Sequence, residues 1–516
     1  MVRSSMPTMV ITLWREAMKT SRLNCKQSIA EGGHTWHSNT CGMLMSGVLM
    51  LALPGCTAMA YLPDEAPMTE PSVSVSEEWN GARTSAGINA AELGWQAYFP
   101  DAQLQELIET SLENNRDLRI AALRVAEARA AYGIQRADRL PSISVGGQAA
   151  RSRVPGNLNM TGRPVTGDQF DAFVGMSSWE LDLWGRVASL EEAALQTYFS
   201  SEAAQRAMRL ALISEVATAY IGLRELDARI DIARKTIATR EESLRIFKRR
   251  TDVGSSSRLE LTQVETLLTQ AKLLSAQLEQ SRASQAHYLD LLVGTPVAVK
   301  LEPATSLLEE SFPPLAAGIP SETLTVRPDI IAAEYNLRAA QANIDAARAA
   351  FFPRITLTGR LGLASATLED LVDPSSNNAW AFAPAISMPI FDAGRLRNNL
   401  DVAEVRGNTA VANYEKTVQS AFREVADALS AQSWLKEQQA IMIEALAIQE
   451  ERSRLARLRY DSGAATYLQV LDAERDLLTT QQQIIQMHGA LMTSQVSLYA
   501  ALGGGSLAPQ PEPADQ

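Results

Sequence analysis

Residues 353–391 read PRITLTGRLGLASATLEDLVDPSSNNAWAFAPAISMPIF, and what covers this stretch decides the fold. Ile355, Leu357, Leu361 and Leu363 fall on one side of its first part and Arg354, Thr356, Thr358 and Arg360 on the other, which predicts a strand with one apolar and one wet face. Residues 370–378, rich in Asp, Pro, Ser and Asn, predict a loop. WAFAPAISMPIF (380–391) predicts a second strand, closed by Asp392 and Gly394. The flanking tracts have helical period and are too long and too polar to fold back as the cover a water-soluble sheet requires. Lipid is the first cover to consider.

Composition narrows the classes. The chain has 516 residues, enough for several domains, and a formal net charge of -12 with no dense basic run, which argues against a nucleic-acid partner. Aromatic residues are only 6%, while Ala, Leu, Gln, Arg and Glu fill long tracts, the composition of long helices packed through small residues. His34 and His37 precede the cleavage site described below, and His287 and His488 lie far apart with no Cys or Glu-x-x-His companion, so no metal site is expected. Acid pairs such as Glu180/Asp182 and Glu309/Glu310 have no base, metal partner or phosphate loop beside them. Gly503 to Gly505 follow a helical tract with no strand before and no helix after, so they read as a terminator. The chain is expected to be no enzyme and to carry no cofactor beyond a covalent lipid.

That lipid is expected at Cys56. Residues 43–53, MLMSGVLMLAL, are too short to span a bilayer as a helix and suit a signal-peptide core. Leu53-Pro54-Gly55-Cys56 follows, which resembles a bacterial lipobox, cut before a cysteine whose sulfur then carries a diacylglycerol. The alternative is a chance cysteine behind a signal peptide cut elsewhere. Removal of residues 1–55 would take Cys25 and Cys41 with it, leaving Cys56 alone and no disulfide within the mature chain. Lys19, Arg22 and Lys26 sit far upstream of the apolar core, so part of the leader reads as a long extension or a misplaced start. Thr57, where an Asp would signal inner-membrane retention, favours the outer membrane. Residues 56–92 read as a lipidated surface tether.

The remainder is one unit written twice. Repeat 1 (93–300) runs as a helical tract from Asp101 to Leu140, a strand pair over about 141–183 with a loop at 154–167, a very long helix from about 186 to 250, a break at 251–257 and an answering helix to about 292. After a connector (301–323), repeat 2 (324–505) restates it with a strand pair at about 353–391 and hairpin helices broken at 461–463. Pro353 lies 212 residues after Pro141, whereas Gly394, Gly463 and Gly503 each lie 209 after Gly185, Gly254 and Gly294. A shift that changes only across the strand loops is what duplication with one trimmed loop produces. Residues 506–516 read as a disordered tail.

Four strands cannot close a barrel, and open edges in hydrocarbon leave backbone groups unpaired at several kcal/mol each. The sheet must therefore close between chains. The smallest barrels have about eight strands and are filled by side chains, so a dimer would be plugged, whereas the twelve strands of a trimer leave a lumen lined by Arg354, Thr356, Thr358 and Arg360. The expected fold is an α+β membrane protein: a long α-helical tunnel plus a transmembrane β-barrel, built by tandem duplication with four strands per protomer and twelve in a homotrimer.

These residues resemble the TolC-type outer-membrane channels, more closely the lipidated OprM-like branch that serves resistance-nodulation-division efflux systems. The resemblance spans roughly Leu93 to Gly503. It is carried by the duplicated frame, the stretches RLPSISVGG, FFPRITLTG, WELDLWGR and PIFDAGRLR, the segment RYDSGAATYLQVLDAERDLL (459–478), and the lipobox. It implies a homotrimer with a periplasmic tunnel joined through a periplasmic adaptor, or membrane fusion protein, to an inner-membrane pump. The implied function is an exit duct that passively conducts drugs or other small toxic compounds, with an iris-like gate at the periplasmic end.

The hairpin tips at Gly254 and Gly463 are the points farthest from the strands, and glycine there lets the chain reverse. By the resemblance the second tip forms the narrow aperture. Asp472 matches the family's aperture aspartate and Tyr460 a tyrosine that helps hold the tip closed. Three Asp472 carboxylates around an axis would repel one another and attract cations. On the residues alone, Asp472 reads as an ordinary helix aspartate paired with Arg475 at i+3. Better-studied members carry an arginine and a further acid where this chain has Ala465 and Gln469, so no specific closing bond is implied. Two other classes stand beside the efflux duct. A duct for type I protein secretion shares the architecture. A periplasmic adaptor or scaffold would need one hairpin inside β-rich halves, whereas this chain has two hairpins, each with its own strand pair.

Overall fold

The computed structural model describes residues 71–72, 87–160, 162–298, 311–316, 318, 325–372 and 377–508. The expected leader, Cys56, most of the tether, most of the 301–323 connector and the tail beyond 508 lie outside them. In chain order, strand β1 (Ile88–Asn89) and helices α1 (Trp95–Tyr98), α2 (Ala102–Asn114) and α3 (Arg116–Ala137) lead into strands β2 (Ile143–Val154) and β3 (Val165–Glu180) and the hairpin α4 (Arg186–Asp252) and α5 (Arg258–Val293). After β4 (Leu315–Ala316) come α6 (Pro328–Ala349), β5 (Arg354–Ser365), β6 (Asn378–Ser387), α7 (Arg395–Asp461) and α8 (Tyr467–Ala501). α4 and α7 have 67 residues each, about 100 Å at the usual helical rise. Among the described residues no helix is long and apolar enough to cross a membrane.

Three local differences from the sequence expectation have physical causes. The tract from Asp101 to Leu140 is two helices, because Asn115 is extended and its side-chain oxygen accepts from the backbone N–H groups of Asp117 and Leu118, starting a new helix. Its amide also donates to the Leu292 carbonyl, which fixes the corner against α5. The first strand pair runs further than expected: Val154 and Val165 to Gly167 pair through the ladder where a loop was expected. Arg151, Ser152, Arg153, Thr166 and Asp168 make this end of the ladder polar on both faces up to the closing pair Val154 and Val165, so it carries no period-2 signal; Arg151 meets Asp168 there at 3.4 Å. The last strand ends at Ser387 rather than Phe391. Pro389 lacks the donor a ladder needs, and Ile390 and Phe391 lie exposed beyond the sheet.

The four long strands form one antiparallel sheet in the order β2-β3-β5-β6. Directly opposed residues share a face, so Val145, Val174, Leu361 and Trp380 line up across it, with Ile355 beside Ile386. On the other face Arg360 stands between Gly175 and Ala381, and Thr358 beside Ala383. A bulge between Met176 and Trp179 holds Ser178 at φ +52°, where its N–H donates to Thr358 Oγ1.

The helices repeat the strand order: α3 packs on α4, α4 on α6, and α6 on α7. Helix α6 is buried between its neighbours, whereas α3 buries no residue and exposes Ile120, Leu123 and Ile134. At the other flank the last buried residue of α7 is Ala428, and Trp434, Ile441, Ile448 and Leu455 beyond it are exposed. Below α6 its place between α4 and α7 is taken by α8, which packs on both. The main core lies where these layers meet. Tyr98 stacks on Tyr499 at 4.3 Å, with Phe99 edge-on to both and to Phe312, while parallel β1 and β4 and the bond from Gly505 N–H to the Ala90 carbonyl tie these segments around it.

Candidate functional site

The free ends of the two hairpins follow one local plan. Gly254 and Gly463 sit at φ +75° and +76°, a left-handed conformation that admits glycine without strain. Each ends its helix with the same bond, Ser255 N–H to the Arg250 carbonyl in one and Ala464 N–H to the Arg459 carbonyl in the other, both at 2.8 Å. The returning helices begin differently. Ser257 and Glu260 form a reciprocal capping box at α5, and the Ser257 backbone N–H holds the Glu260 carboxyl below its usual range. Thr466 makes no side-chain cap at α8, where Gln469 occupies the corresponding place.

A small aromatic core joins the two tips. Phe247 of α4 packs on Tyr467 of α8 at 4.2 Å, with Val264, Val470 and Leu471 buried around them. Tyr460 stands 4.9 Å from Tyr467 and accepts a hydrogen bond from the Arg250 guanidinium, which also lies over the Phe247 and Tyr460 rings. Tyr460 is therefore tied to the other hairpin through Arg250. Sequence reasoning missed Arg250, Phe247 and Tyr467: nothing in the linear pattern brings α4 and α7 together at this level.

Asp472 has no described contact with Tyr460. It is half-exposed on α8 and pairs with Arg475 at 3.3 Å, the ordinary i+3 arrangement. Arg475 also holds Asp476 at 3.1 Å, and Asp476 holds Arg452 of α7 at 2.7 Å, so Asp472 is the outer end of a four-charge ladder across this hairpin. With Gln469, Arg452, Leu455 and Arg459 it borders a cleft of about 830 Å³ between α7 and α8.

The wet face of β5 carries its four candidate residues in different states. Arg354 is tied at 2.6 Å to Glu180, which also holds Arg186 at the head of α4. Thr358 supports the bulge, and Thr356 stands opposite Ala385. Arg360 lies over the Phe173 ring at 5.9 Å, and that ring covers Gly146 so closely that a Cβ there would meet it at 2.7 Å.

A sequence profile described as outer membrane efflux protein matches residues 107–295 and 319–504. The toluene efflux pump outer membrane protein TtgF of Pseudomonas putida is 41% identical over 471 residues, 89% of this chain and 96% of the relative. The antibiotic efflux pump outer membrane protein ArpC, also of Pseudomonas putida, is 40% identical over 90% of this chain and 96% of its own. In fold, the open state of the Neisseria gonorrhoeae MtrE outer membrane channel aligns at a TM-score of 0.77 with 37% identity, covering 84% of this chain and 96% of that one. These relatives are efflux channel proteins, not enzymes.

Proposed function

We propose, from the premise that this chain belongs to the outer membrane efflux protein family, that it is the outer-membrane exit duct of a tripartite pump. It passes toxic small molecules such as solvents and antibiotics, the cargo in the names of its relatives, from the periplasm to the outside. One observation carries the reading: a sheet that is apolar on one face and ends in unpaired edges, standing on a helical layer that ends in bare apolar flanks at the same two ends. β2 and α3 form one flank, β6 and α7 the other. Copies placed head to tail in a ring satisfy strand edges and helix flanks together, the closure a heterologous interface allows. Three copies give twelve strands and a water-filled lumen faced by Thr356, Thr358 and Arg360.

In this duct the hairpin tips form the periplasmic gate. The Arg250–Tyr460 bond supports Tyr460 as a closing element, and a ring of three Asp472 carboxylates would favour cations at the aperture. Cys56 carries the lipid, a periplasmic adaptor meets the tunnel, and an inner-membrane pump supplies the energy. The test is a bacterium deleted for its own outer channel and given this gene with its adaptor and pump. Restored toluene tolerance and lowered dye accumulation are expected. Unchanged accumulation, or export of a protein substrate in its place, would overturn the reading in favour of a secretion duct.

A further inference from the structure

Arg240, on α4 between the tip and the main core, is 3% exposed. Its Nη1 donates to the Leu267 carbonyl of α5 at 2.5 Å, but its Nε and Nη2 are buried with no hydrogen-bond partner. Buried donors are nearly always satisfied, and a guanidinium left with two idle ones is destabilising unless another seating uses them. The adjacent carboxylate is Glu474 of α8, which borders with Arg240 a cleft of about 550 Å³ between α4, α7 and α8. Glu474 is paired elsewhere, at a long 3.5 Å, with Arg457 of α7.

Burial works against both charges in this seating. It pushes the Glu474 carboxyl up and the Arg240 guanidinium down, while the charge of each partly offsets the shift of the other. Two opposite charges, each penalised by burial, therefore stand within electrostatic reach without a bond between them. The guanidinium has the fork geometry to take a carboxylate through two parallel N–H bonds.

We propose that Arg240 and Glu474 are the two halves of a catch between the hairpins. In the seating described here Glu474 belongs to Arg457, on its own hairpin; a shift of α8 against α4 transfers its carboxylate to the idle donors of Arg240. The catch holds the seating reached when the Arg250–Tyr460 tie is released, and in that consequence it rests on the gate reading. If instead Arg240 only packs its stem between α4 and α5, Glu474 is an ordinary groove residue and its charge is immaterial to hairpin position.

The test uses the full trimer in planar bilayers. Tyr460→Phe alone should lengthen the high-conductance dwell; if it does not, the gate reading fails, whatever the catch does. In that background Glu474→Gln and Arg240→Met should each shorten the open dwell by roughly tenfold, the scale of a charge-assisted pair, and the double variant no more than either. Additive effects, or none, overturn the catch. A second readout does not depend on conductance. The three cysteines are residues 25, 41 and 56, so spin labels can be placed cleanly at Lys248 and Leu468. Two distance populations are expected, one of them depleted by Glu474→Gln; a single population insensitive to Glu474→Gln overturns the catch even if the gate responds. Should Arg240→Met fail to fold, Glu474→Gln carries both readouts.

Discussion

Hairpin α4–α5 and hairpin α7–α8 descend from one pattern and are held by different means. In the first, Asp227 is buried and paired with Arg282, Arg240 bonds a backbone carbonyl of α5, and the tip is closed by a capping box. In the second, the ion pairs between the helices, Arg452 to Asp476 and Arg457 to Glu474, each have a half-exposed arginine, and the tip has no side-chain cap. Desolvated and cap bonds fix geometry, whereas surface ion pairs contribute little and are screened by salt. On the proposed gate reading, this difference places the first hairpin in the frame and the second in the moving part.

The largest expected effect lies in the frame. Arg282→Ala strands the buried Asp227 carboxylate and should lower stability by about 3–5 kcal/mol, whereas Arg452→Ala on the second hairpin should cost about 0.2–1 kcal/mol. Thermal unfolding in detergent reads both, and equal losses would break the comparison. The tips come next. Ser257→Ala removes a working cap and should cost about 1 kcal/mol, read by hydrogen exchange at the start of α5. Thr466→Ala should change exchange at α8 hardly at all, and Gln469→Glu, which offers the Thr466 backbone N–H a charged acceptor, should slow it.

The smallest effects are two pH dependences of opposite sign on one helix. Burial raises the Glu474 carboxyl, so the folded chain binds that proton more tightly than the unfolded chain. Its destabilising contribution is absent below the ordinary carboxylate range and appears as the pH rises, so Glu474→Gln should raise the melting temperature near about pH 7 and do nothing near about pH 4. The Arg452 hydrogen bond lowers the Asp476 carboxyl, so its stabilisation is present above the ordinary range and lost as the pH falls. Asp476→Asn should therefore lower the melting temperature near about pH 7, with the loss fading in acid. Shifts of the same sign would mean that the two carboxylates share one environment.

What was legible in the sequence was what has a period or a stop. Ile355, Leu357, Leu361 and Leu363 disclosed β5 because they alternate with polar residues along the strand, and Gly254 and Gly463 marked the tips because each takes a left-handed conformation that ends its helix. The polar extension of β2 and β3 was not legible, since backbone pairing carries it and side-chain alternation does not. Asn115 looked like one more polar residue in a helix until Leu292 was seen to sit beside it. The Arg250–Tyr460 tie and the Arg240–Glu474 neighbourhood join residues more than 200 apart, and no local rule relates them. Asp472 was chosen by resemblance, and its pairing with Arg475 is the arrangement the residues alone suggested.

The central claim is that the sheet and the helical layer are completed only by further copies of this chain. Native mass spectrometry of the detergent-purified protein tests it most directly. The account predicts a single species of three times the chain mass that retains β-sheet circular dichroism and falls apart only as that signal is lost. A folded monomer with the full β-sheet signal would contradict it.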